Sequence, residues 1–154
     1  MKLSDVLQIV NIVIGMEGDK ETIINSLVHV ASRNNEMRAN IVVRAVLQRE
    51  VRKPSNYGNG VALPHALTRD SENIAASIAI LKSPVDWKTP EQPPVQIVLL
   101  IIGSHRHINS YISIVARAAK VLSSDAFREG AIMAKTVEEV LNLIKEVEKK
   151  FNYA

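Results

Sequence analysis

Residues 95–102, VQIVLLII, form the most apolar segment of this 154-residue chain and decide its fold. The side chains are aliphatic almost without interruption over eight positions. Such a run is typical of a β-strand that is covered on both faces by other elements. Gly103 and Ser104 follow and are expected to break the strand. The segment therefore predicts a central strand with helices packed on both of its sides.

Amphipathic helices are predicted before and after this strand. Apolar side chains recur at helical spacing in four segments, residues 19–33, 35–49, 107–122 and 136–150. Asp19 is suited to cap the first of these helices. Thr136, with Glu139 three residues later, forms a capping-box pattern at the start of the last.

Two further strands are predicted, at residues 11–16 and 74–81, and Pro84 is expected to end the second. Residues 54–60, PSNYGNG, have the composition of an irregular loop. Strands and helices thus alternate along the chain. This order predicts an α/β sandwich, in which helices flank both faces of a mixed, mostly buried β-sheet, as a single domain over residues 1–154.

Composition excludes several classes of function. The chain has no cysteine, which rules out disulfides, thiolate metal sites and a cysteine nucleophile. Its net charge is +3, but the basic residues are spread among the acids and the few aromatic residues do not interleave with them, so no nucleic-acid binding is expected. No long apolar run and no signal peptide are present, which predicts a cytoplasmic protein.

The motif GNGVALPHA, residues 58–66, fixes a histidine at the end of an extended apolar segment. Pro64 restricts Leu63 to extended geometry, and the glycines before Val61 allow another group to approach the backbone closely. The pattern alone fits two alternatives, a His65 ring packed in the core or one presented for chemistry. His29, between two valines of a predicted helix, is interpreted as a structural residue.

A metal site is a second interpretation of the histidines. His65, His105 and His107 could supply three zinc ligands, with Asp70 or Asp86 as a fourth. The spacing of His105 and His107 suits a strand better than a helix start, and no acid lies nearby in the sequence to act as a base. A metal hydrolase is therefore kept as a weaker alternative.

Several motifs together resemble a known family. GNGVALPHA is preceded by the pair Arg49-Glu50 and followed by PVDW and by HINSYISIVARAAKVL. In this order, over residues 3–147, they resemble the enzyme IIA domain of the phosphoenolpyruvate-dependent sugar phosphotransferase system, of the fructose/mannitol and nitrogen-regulatory type. The resemblance implies that Nε2 of His65 accepts a phosphoryl group from phosphorylated HPr and that a IIB domain receives it.

The resemblance also implies which residues assist His65. Arg49 would offer a forked, permanent cation to the phosphoryl oxygens, and His107, before Ile108, would be the second active-site histidine, although His105 could take its place. Ser55 and the amides at Gly58 and Gly60 could add hydrogen-bond donors. Where many family members have a serine-threonine-glycine-isoleucine-glycine loop, this chain has PSNYG, residues 54–58, which keeps one hydroxyl.

Partners and cofactors follow from the same resemblance. Ala66 and Leu67, which replace a glycine and a basic residue, are expected to contact protein partners, with Val61 and Leu63 nearer the core. Neither a phosphate-binding glycine loop nor paired acids for magnesium are present, so the phosphoryl donor should be a protein and no cofactor is expected. Contact with a membrane would occur only through a transporter complex.

Two functions remain open at this point. One is a phosphocarrier in sugar uptake, and the other is a regulatory protein whose partners depend on whether His65 is phosphorylated. The absence of fused IIB and IIC domains from this chain favours the second, as does the resemblance to nitrogen-regulatory members.

Overall fold

The computed structural model describes residues 1–151. Its strands are β1 (Ile12–Met16), β2 (Val61–Ala62), β3 (His65–Thr68), β4 (Ala75–Val85) and β5 (Val95–Ser104). Its α-helices are α1 (Leu3–Val6), α2 (Lys20–Ala31), α3 (Ala39–Arg52), α4 (Ile108–Ser123), α5 (Asp125–Met133) and α6 (Val137–Lys149). Two single-turn 3-10 helices, Ile9–Asn11 and His105–His107, precede β1 and α4.

Strand β5 lies at the centre of a mixed sheet. It pairs with β4 in antiparallel orientation and with both β2 and β3 in parallel orientation. The order across the sheet is β1-β4-β5-β2, with β3 also on β5, and β1 runs parallel to β4. The predicted central strand and the predicted mixed sheet are confirmed.

Alternate side chains of β5 enter two separate apolar cores. Ile97, Leu99 and Ile101 pack with the residues of α1, α4, α5 and α6. Their neighbours Val98, Leu100 and Ile102 pack with α2 and α3 on the opposite face. All six are almost fully buried. This alternation explains the continuous apolar run, because both faces of the strand are covered.

Helix boundaries follow the capping residues. Asp19 caps α2 by accepting from the Thr22 amide at 2.9 Å, and Thr136 caps α6 by accepting from the Glu139 amide at 3.2 Å, as predicted. Helix α3 begins at Ala39 instead of residue 35, because Met37 first pairs with Ser71 in a β-bridge.

Helix α5 was not predicted from the sequence. Ser124 caps it by accepting from the Phe127 amide at 3.2 Å. The helix spans only nine residues, and only Phe127 and Ala131 are buried in it, so it carries too few apolar repeats to give a clear helical period.

Two predicted strand ends are wrong. Strand β4 continues through Pro84 to Val85, in a region where its pairing with β5 is irregular between Ile80 and Val85, so the missing proline N–H is tolerated there. Strand β5 passes through Gly103 and ends at Ser104. A single-turn helix then separates the strand from α4, which begins at Ile108.

Candidate functional site

His65 opens β3 beside the central strand. It is paired with Ile101 of β5, and the Ile101 amide donates to the Pro64 carbonyl at 3.1 Å. The backbone on which the ring stands is therefore held by the sheet. The side chain is half-buried, so one part of the ring is enclosed and another part can meet a reactant.

The two ring nitrogens of His65 have different partners. Nδ1 lies 2.7 Å from the Leu63 carbonyl oxygen. Because a carbonyl can only accept, Nδ1 carries the proton in the neutral ring and Nε2 keeps its lone pair. This contact fixes both the tautomer and the ring orientation, and it leaves Nε2 as the nucleophilic atom.

Arg49, in the last turn of α3, lies against this nucleophilic atom. Its Nη2 is 3.3 Å from Nε2 of His65, and its Nη1 donates to the Lys53 carbonyl at 2.9 Å. The bond to Lys53 holds the guanidinium across the end of the helix. The contact with His65 places a permanent cation at the position where an incoming anion would meet Nε2.

The surroundings keep the His65 ring neutral. Burial lowers the pKa of His65 below its usual value, and the cations Arg49 and Lys53 lower it further. The hydrogen bond to Leu63 and the charge of Glu50 act on that pKa in the opposite direction without reversing the shift. The ring therefore stays unprotonated to a lower pH than an ordinary histidine, which preserves its nucleophilicity.

Glu50, buried beside Arg49, organises the backbone that holds His65. Its carboxylate accepts from the Ser55 amide at 3.0 Å and from the Ser55 hydroxyl. The Ser55 carbonyl accepts from the Leu63 amide at 3.0 Å, and the Leu63 carbonyl in turn accepts from His65. A chain of hydrogen bonds thus runs from Glu50 to the ring, which the sequence indicated only through the Arg49-Glu50 pair.

The charge of Glu50 is balanced inside the protein. Lys20, at the start of α2, lies 3.2 Å from the carboxylate and is itself largely buried. Its ammonium also donates to the Trp87 carbonyl at 3.3 Å and sits 5.5 Å from the centre of the Trp87 ring. The buried carboxylate thus has a cationic partner in addition to its two bonds from Ser55.

Tyr111, in the first turn of α4, is an aromatic neighbour that sequence reasoning did not select. Its ring centre is 6.4 Å from that of His65, with the planes tilted by 47°. The phenol is half-buried, and burial raises the pKa of Tyr111 to about 12 although the Arg49 charge acts in the opposite direction. The only signal in the sequence was an aromatic residue four positions after His107.

Among residues 1–151, no hydrogen bond or ring contact joins His107 or His105 to His65. Both are exposed, and His107 lies at the N-cap of α4. His107 lines a surface cavity of about 390 Å³ together with residues of the α1 segment and the asparagines Asn34, Asn35 and Asn73. Within residues 1–151, neither histidine forms a hydrogen bond with His65 or Arg49. The structure thus describes a contact between Arg49 and His65, and the role of His107 as the second active-site histidine stays a prediction.

The loop residues Ser55, Gly58 and Gly60 have structural partners. The Ser55 hydroxyl is directed to Glu50, and the Gly58 amide donates to the Asn56 side chain at 2.9 Å. Gly58 and Gly60 have φ angles of 81° and 76°, which glycine adopts without strain, and the Gly60 carbonyl accepts from the Gln96 amide at 2.8 Å. These groups shape the turn that leads into β2.

Ala66 does not form part of the surface, contrary to the expectation that it contacts partners. Side chains alternate along β3, so Ala66 and Thr68 are buried while His65 and Leu67 are partly exposed. Ala66 packs with α2 and α3, and Val61 and Leu63 are likewise buried. Leu67 lies on the same side of the strand as His65 and remains a candidate for contact.

The residues considered as metal ligands are dispersed. Among residues 1–151, no group of three or more histidine and acidic side chains lies close enough to share a metal ion. Asp70 instead pairs with Arg38, and Asp86 accepts from the Lys88 amide at 2.8 Å. In the same part of the chain, no helix is long and apolar enough to cross a membrane.

Comparisons with known proteins agree on one family. Residues 5–147 match the family described as "Phosphoenolpyruvate-dependent sugar phosphotransferase system, EIIA 2". The fructose-specific EIIABC component of the phosphotransferase system of Bacillus subtilis is 24% identical over 97% of this chain. The chain spans only 24% of that relative's length, so the activity of the whole relative does not transfer directly.

Solved structures share the fold. The nitrogen regulatory protein IIA-Ntr from Neisseria meningitidis superposes with a TM-score of 0.85 at 20% identity, covering 92% of this chain and 98% of that one. Enzyme IIA for mannitol from Escherichia coli, in complex with phosphorylated enzyme IIB, superposes with a TM-score of 0.74 at 20% identity, covering 88% and 94% of the two chains. At this identity the likeness concerns the fold alone.

Proposed function

This chain belongs to the EIIA 2 family of the phosphoenolpyruvate-dependent sugar phosphotransferase system, and from that premise we propose that it is a phosphocarrier. His65 accepts a phosphoryl group from phosphorylated HPr and passes it to a IIB domain in sugar uptake. Residues 1–154 act as a single EIIA domain, in the cytoplasm. The observation that carries the proposal is the His65 ring, with its proton held on Nδ1 and Arg49 at Nε2.

The reaction begins with the lone pair of Nε2. It attacks phosphorus as the bond between phosphorus and the donor breaks, and the donor keeps that electron pair. The Nδ1 proton stays on its hydrogen bond to Leu63. The product is a phosphohistidine, whose phosphorus–nitrogen bond is reactive enough for onward transfer. The lowered pKa of His65 supports this role, since only the unprotonated ring can attack.

Arg49 stabilises the transferred group. In phosphoryl transfer the charge is spread over three equatorial oxygens, and catalysis consists mainly of alignment and electrostatic stabilisation. When phosphorus bonds to Nε2, the Nη2 group that now faces this atom can donate to a phosphoryl oxygen. His107 is proposed as a further donor, since it is exposed at the N-cap of α4, one turn before Tyr111.

Partner proteins are proposed to dock on the surface around His65. Leu67 shares the exposed side of β3, and the apolar side chains of Tyr57, Ile108 and Ile112 are also exposed, by 50%, 45% and 60%. Transient protein interfaces commonly combine such a patch with a polar rim. The donor and the acceptor would use this surface in turn, because both must reach the same nitrogen.

A labelling experiment tests the proposal. The chain is incubated with enzyme I, HPr and labelled phosphoenolpyruvate, and the protein should gain acid-labile label. His65→Ala should abolish the label, whereas His105→Ala should retain it. Label that persists in His65→Ala would contradict the assignment of His65.

A regulatory function is the second candidate. The fold likeness to a nitrogen regulatory protein over nearly its whole length motivates it. Phosphorylation would add almost two negative charges beside exposed apolar side chains and so change which proteins bind there. Binding assays that compare phosphorylated and unphosphorylated protein should give different partner sets, and identical sets would argue against the switch.

A further inference from the structure

The Tyr111 ring is held in a fixed position beside the site. It packs on Gly103 of β5 so closely that a Cβ added there would lie 2.2 Å from Cδ1 of the ring. Gly103 is thus the position that admits the aromatic ring between the end of β5 and the start of α4. The ring cannot shift further toward the strand, because the Gly103 backbone already lies against it.

The phenol shares its environment with the reactive nitrogen. The ring centre lies 6.4 Å from that of His65, and the 47° tilt excludes face-to-face stacking. Arg49, which contacts Nε2, is also close enough for its charge to lower the pKa of the Tyr111 phenol. Tyr111 and Arg49 are thus both neighbours of the His65 ring.

The Tyr111 hydroxyl is an unused donor. Within residues 1–151 it forms no hydrogen bond with another residue, although the ring is half-buried. It is also not among the enclosed polar atoms of these residues that lack a partner, so the hydroxyl is open to solvent and to an incoming group. Since burial raises the pKa of Tyr111 to about 12, the group keeps its proton throughout the physiological range and can always donate.

We propose that the Tyr111 hydroxyl donates a hydrogen bond to an equatorial oxygen of the phosphoryl group that is carried by Nε2 of His65. This inference rests on the proposed function and adds a catalytic residue to it. No proton is transferred from Tyr111. The nitrogen–phosphorus bond forms and the donor's bond to phosphorus breaks as described above, while the phenol holds one of the oxygens next to Arg49.

The alternative is that Tyr111 only packs against Gly103 and His65. Tyr111→Phe separates the two roles, because it removes the hydroxyl and keeps the ring. Ser123→Ala is the control, since it removes a hydroxyl from the opposite end of the same helix α4, where the group donates to the Lys120 carbonyl at 2.8 Å. Among residues 1–151, the Tyr111 hydroxyl makes no hydrogen bond that the phenylalanine variant would lose, so this variant should fold.

The experiment uses phosphoramidate, a small-molecule phosphoryl donor, so that recognition of HPr and IIB does not enter. Phosphorylation of the wild type, Tyr111→Phe, Ser123→Ala and His65→Ala is followed by phosphorus NMR. Tyr111→Phe should react about tenfold to hundredfold more slowly, as expected for loss of one hydrogen bond to a charged group, and its phosphohistidine resonance should be displaced. Ser123→Ala should match the wild type.

Other outcomes separate the inference from the proposed function. If the wild type is phosphorylated on His65, and Tyr111→Phe has the same rate and resonance, the inference is overturned and the phosphocarrier stands. If His65→Ala is labelled as well as the wild type, the proposed function fails and the inference fails with it. In wild-type protein with carbon-13 at tyrosine Cζ, phosphorylation should also shift the Tyr111 signal, and a constant signal would count against the inference.

Discussion

At His65, two contacts of opposite chemical kind separate the functions of the two ring nitrogens. The Leu63 carbonyl requires a proton on Nδ1, whereas the Arg49 guanidinium can only donate and so faces the lone pair of Nε2. The same cation disfavours protonation of the ring and favours an anion attached to it. Arg49 thus stabilises both the neutral ring of the free protein and the phosphoryl group of the phosphorylated protein. A lysine would serve less well, because its ammonium lacks the planar fork that matches phosphoryl oxygens.

Arg49→Gln is expected to raise the pKa of His65. Burial is the largest cause of the lowered pKa and remains in the variant, so the rise should be partial. Because a lowered pKa keeps the ring neutral below the usual histidine value of 6.5, the variant should lose phosphoryl acceptance at a higher pH than the wild type as the solution is acidified. NMR titration of the ring protons and the pH profile of labelling measure these two effects.

Arg52→Gln is the control for this change. Arg52 is exposed on the same last turn of α3, but it is not among the charges that shift the pKa of His65. The His65 titration should therefore be unaltered in Arg52→Gln. Equal shifts in the two variants would mean that the overall positive charge, and not the contact with Nε2, controls the ring.

Glu50→Gln is expected to destabilise the protein and to weaken the hydrogen bonds that position the His65 ring. The amide cannot accept both Ser55 bonds equally, and it leaves the buried Lys20 ammonium without its anion, so the free energy of unfolding should fall by about 3–5 kcal/mol. The Nδ1 proton signal of His65 should broaden, because Leu63 is held through Ser55. Denaturant unfolding and proton NMR provide the measurements.

Ser55→Ala is the milder variant of the same chain of bonds. It removes the hydroxyl donor but keeps the backbone bond to Glu50 and the pair with Lys20, so about 1–3 kcal/mol should be lost. A Glu50→Gln cost no larger than that of Ser55→Ala would show that the pair with Lys20 adds nothing to stability.

At the scale of elements, the junction of β5 and α4 shows why a sequence pattern gives only part of a site. From the sequence, Gly103 is predicted to end the strand, yet the strand continues to Ser104. The Tyr111 ring occupies the space that a side chain at residue 103 would need. The local sequence does not reveal this, because the two residues meet only when α4 folds back on the sheet. In the sequence, a glycine that is needed for packing against Tyr111 therefore looks the same as a glycine that ends a strand.

Gly103→Ala should reveal this packing. The new methyl group would overlap Cδ1 and Cγ of Tyr111, which belong to the rigid ring, so a loss of about 1–3 kcal/mol is expected. In a Tyr111→Leu background the same change should cost much less. A double-mutant cycle, measured by denaturant unfolding, gives the coupling between the two positions. Additive effects would mean that the ring does not limit residue 103.

Other elements were predictable to different degrees for identifiable reasons. The strand of residues 95–102 and the helices after Asp19 and Thr136 have strong periods and caps, so their existence followed from the sequence. Helix α5 has only two buried residues, and the burial of Ala66 depends on which face of β3 meets α2 and α3. The association of Arg49 with His65 came from family resemblance, since spacing alone does not bring α3 to β3.

At the scale of the whole molecule, β5 belongs to both apolar cores at once. Leu99 lies in the core formed with α1, α4, α5 and α6, and Leu100 lies in the core formed with α2 and α3. The site depends on both, because Arg49 stands on α3 and Tyr111 on α4. The geometry at His65 therefore requires the two layers to fold as one unit.

Leu99→Ala and Leu100→Ala test this unity. Each removes a fully buried side chain, so each should lower the free energy of unfolding by about 2–5 kcal/mol. Trp87, the single tryptophan, lies in the core of Leu100, and its fluorescence reports on that layer, whereas far-ultraviolet circular dichroism reports on all helices. Within each variant, the fluorescence midpoint should equal the circular dichroism midpoint. The reason is that the substitution on one face weakens a strand that both layers share.

The exposed Val51 supplies the control for these substitutions. Val51→Ala changes a side chain that is 85% exposed and should alter stability by no more than about 0.5 kcal/mol. The decisive comparison is Leu99→Ala observed through Trp87, since the substitution and the probe lie on opposite faces of the sheet. If the circular dichroism midpoint fell while the Trp87 midpoint stayed in place, the layers would unfold separately. Arg49 and Tyr111 could then lose their common orientation toward His65 without global unfolding.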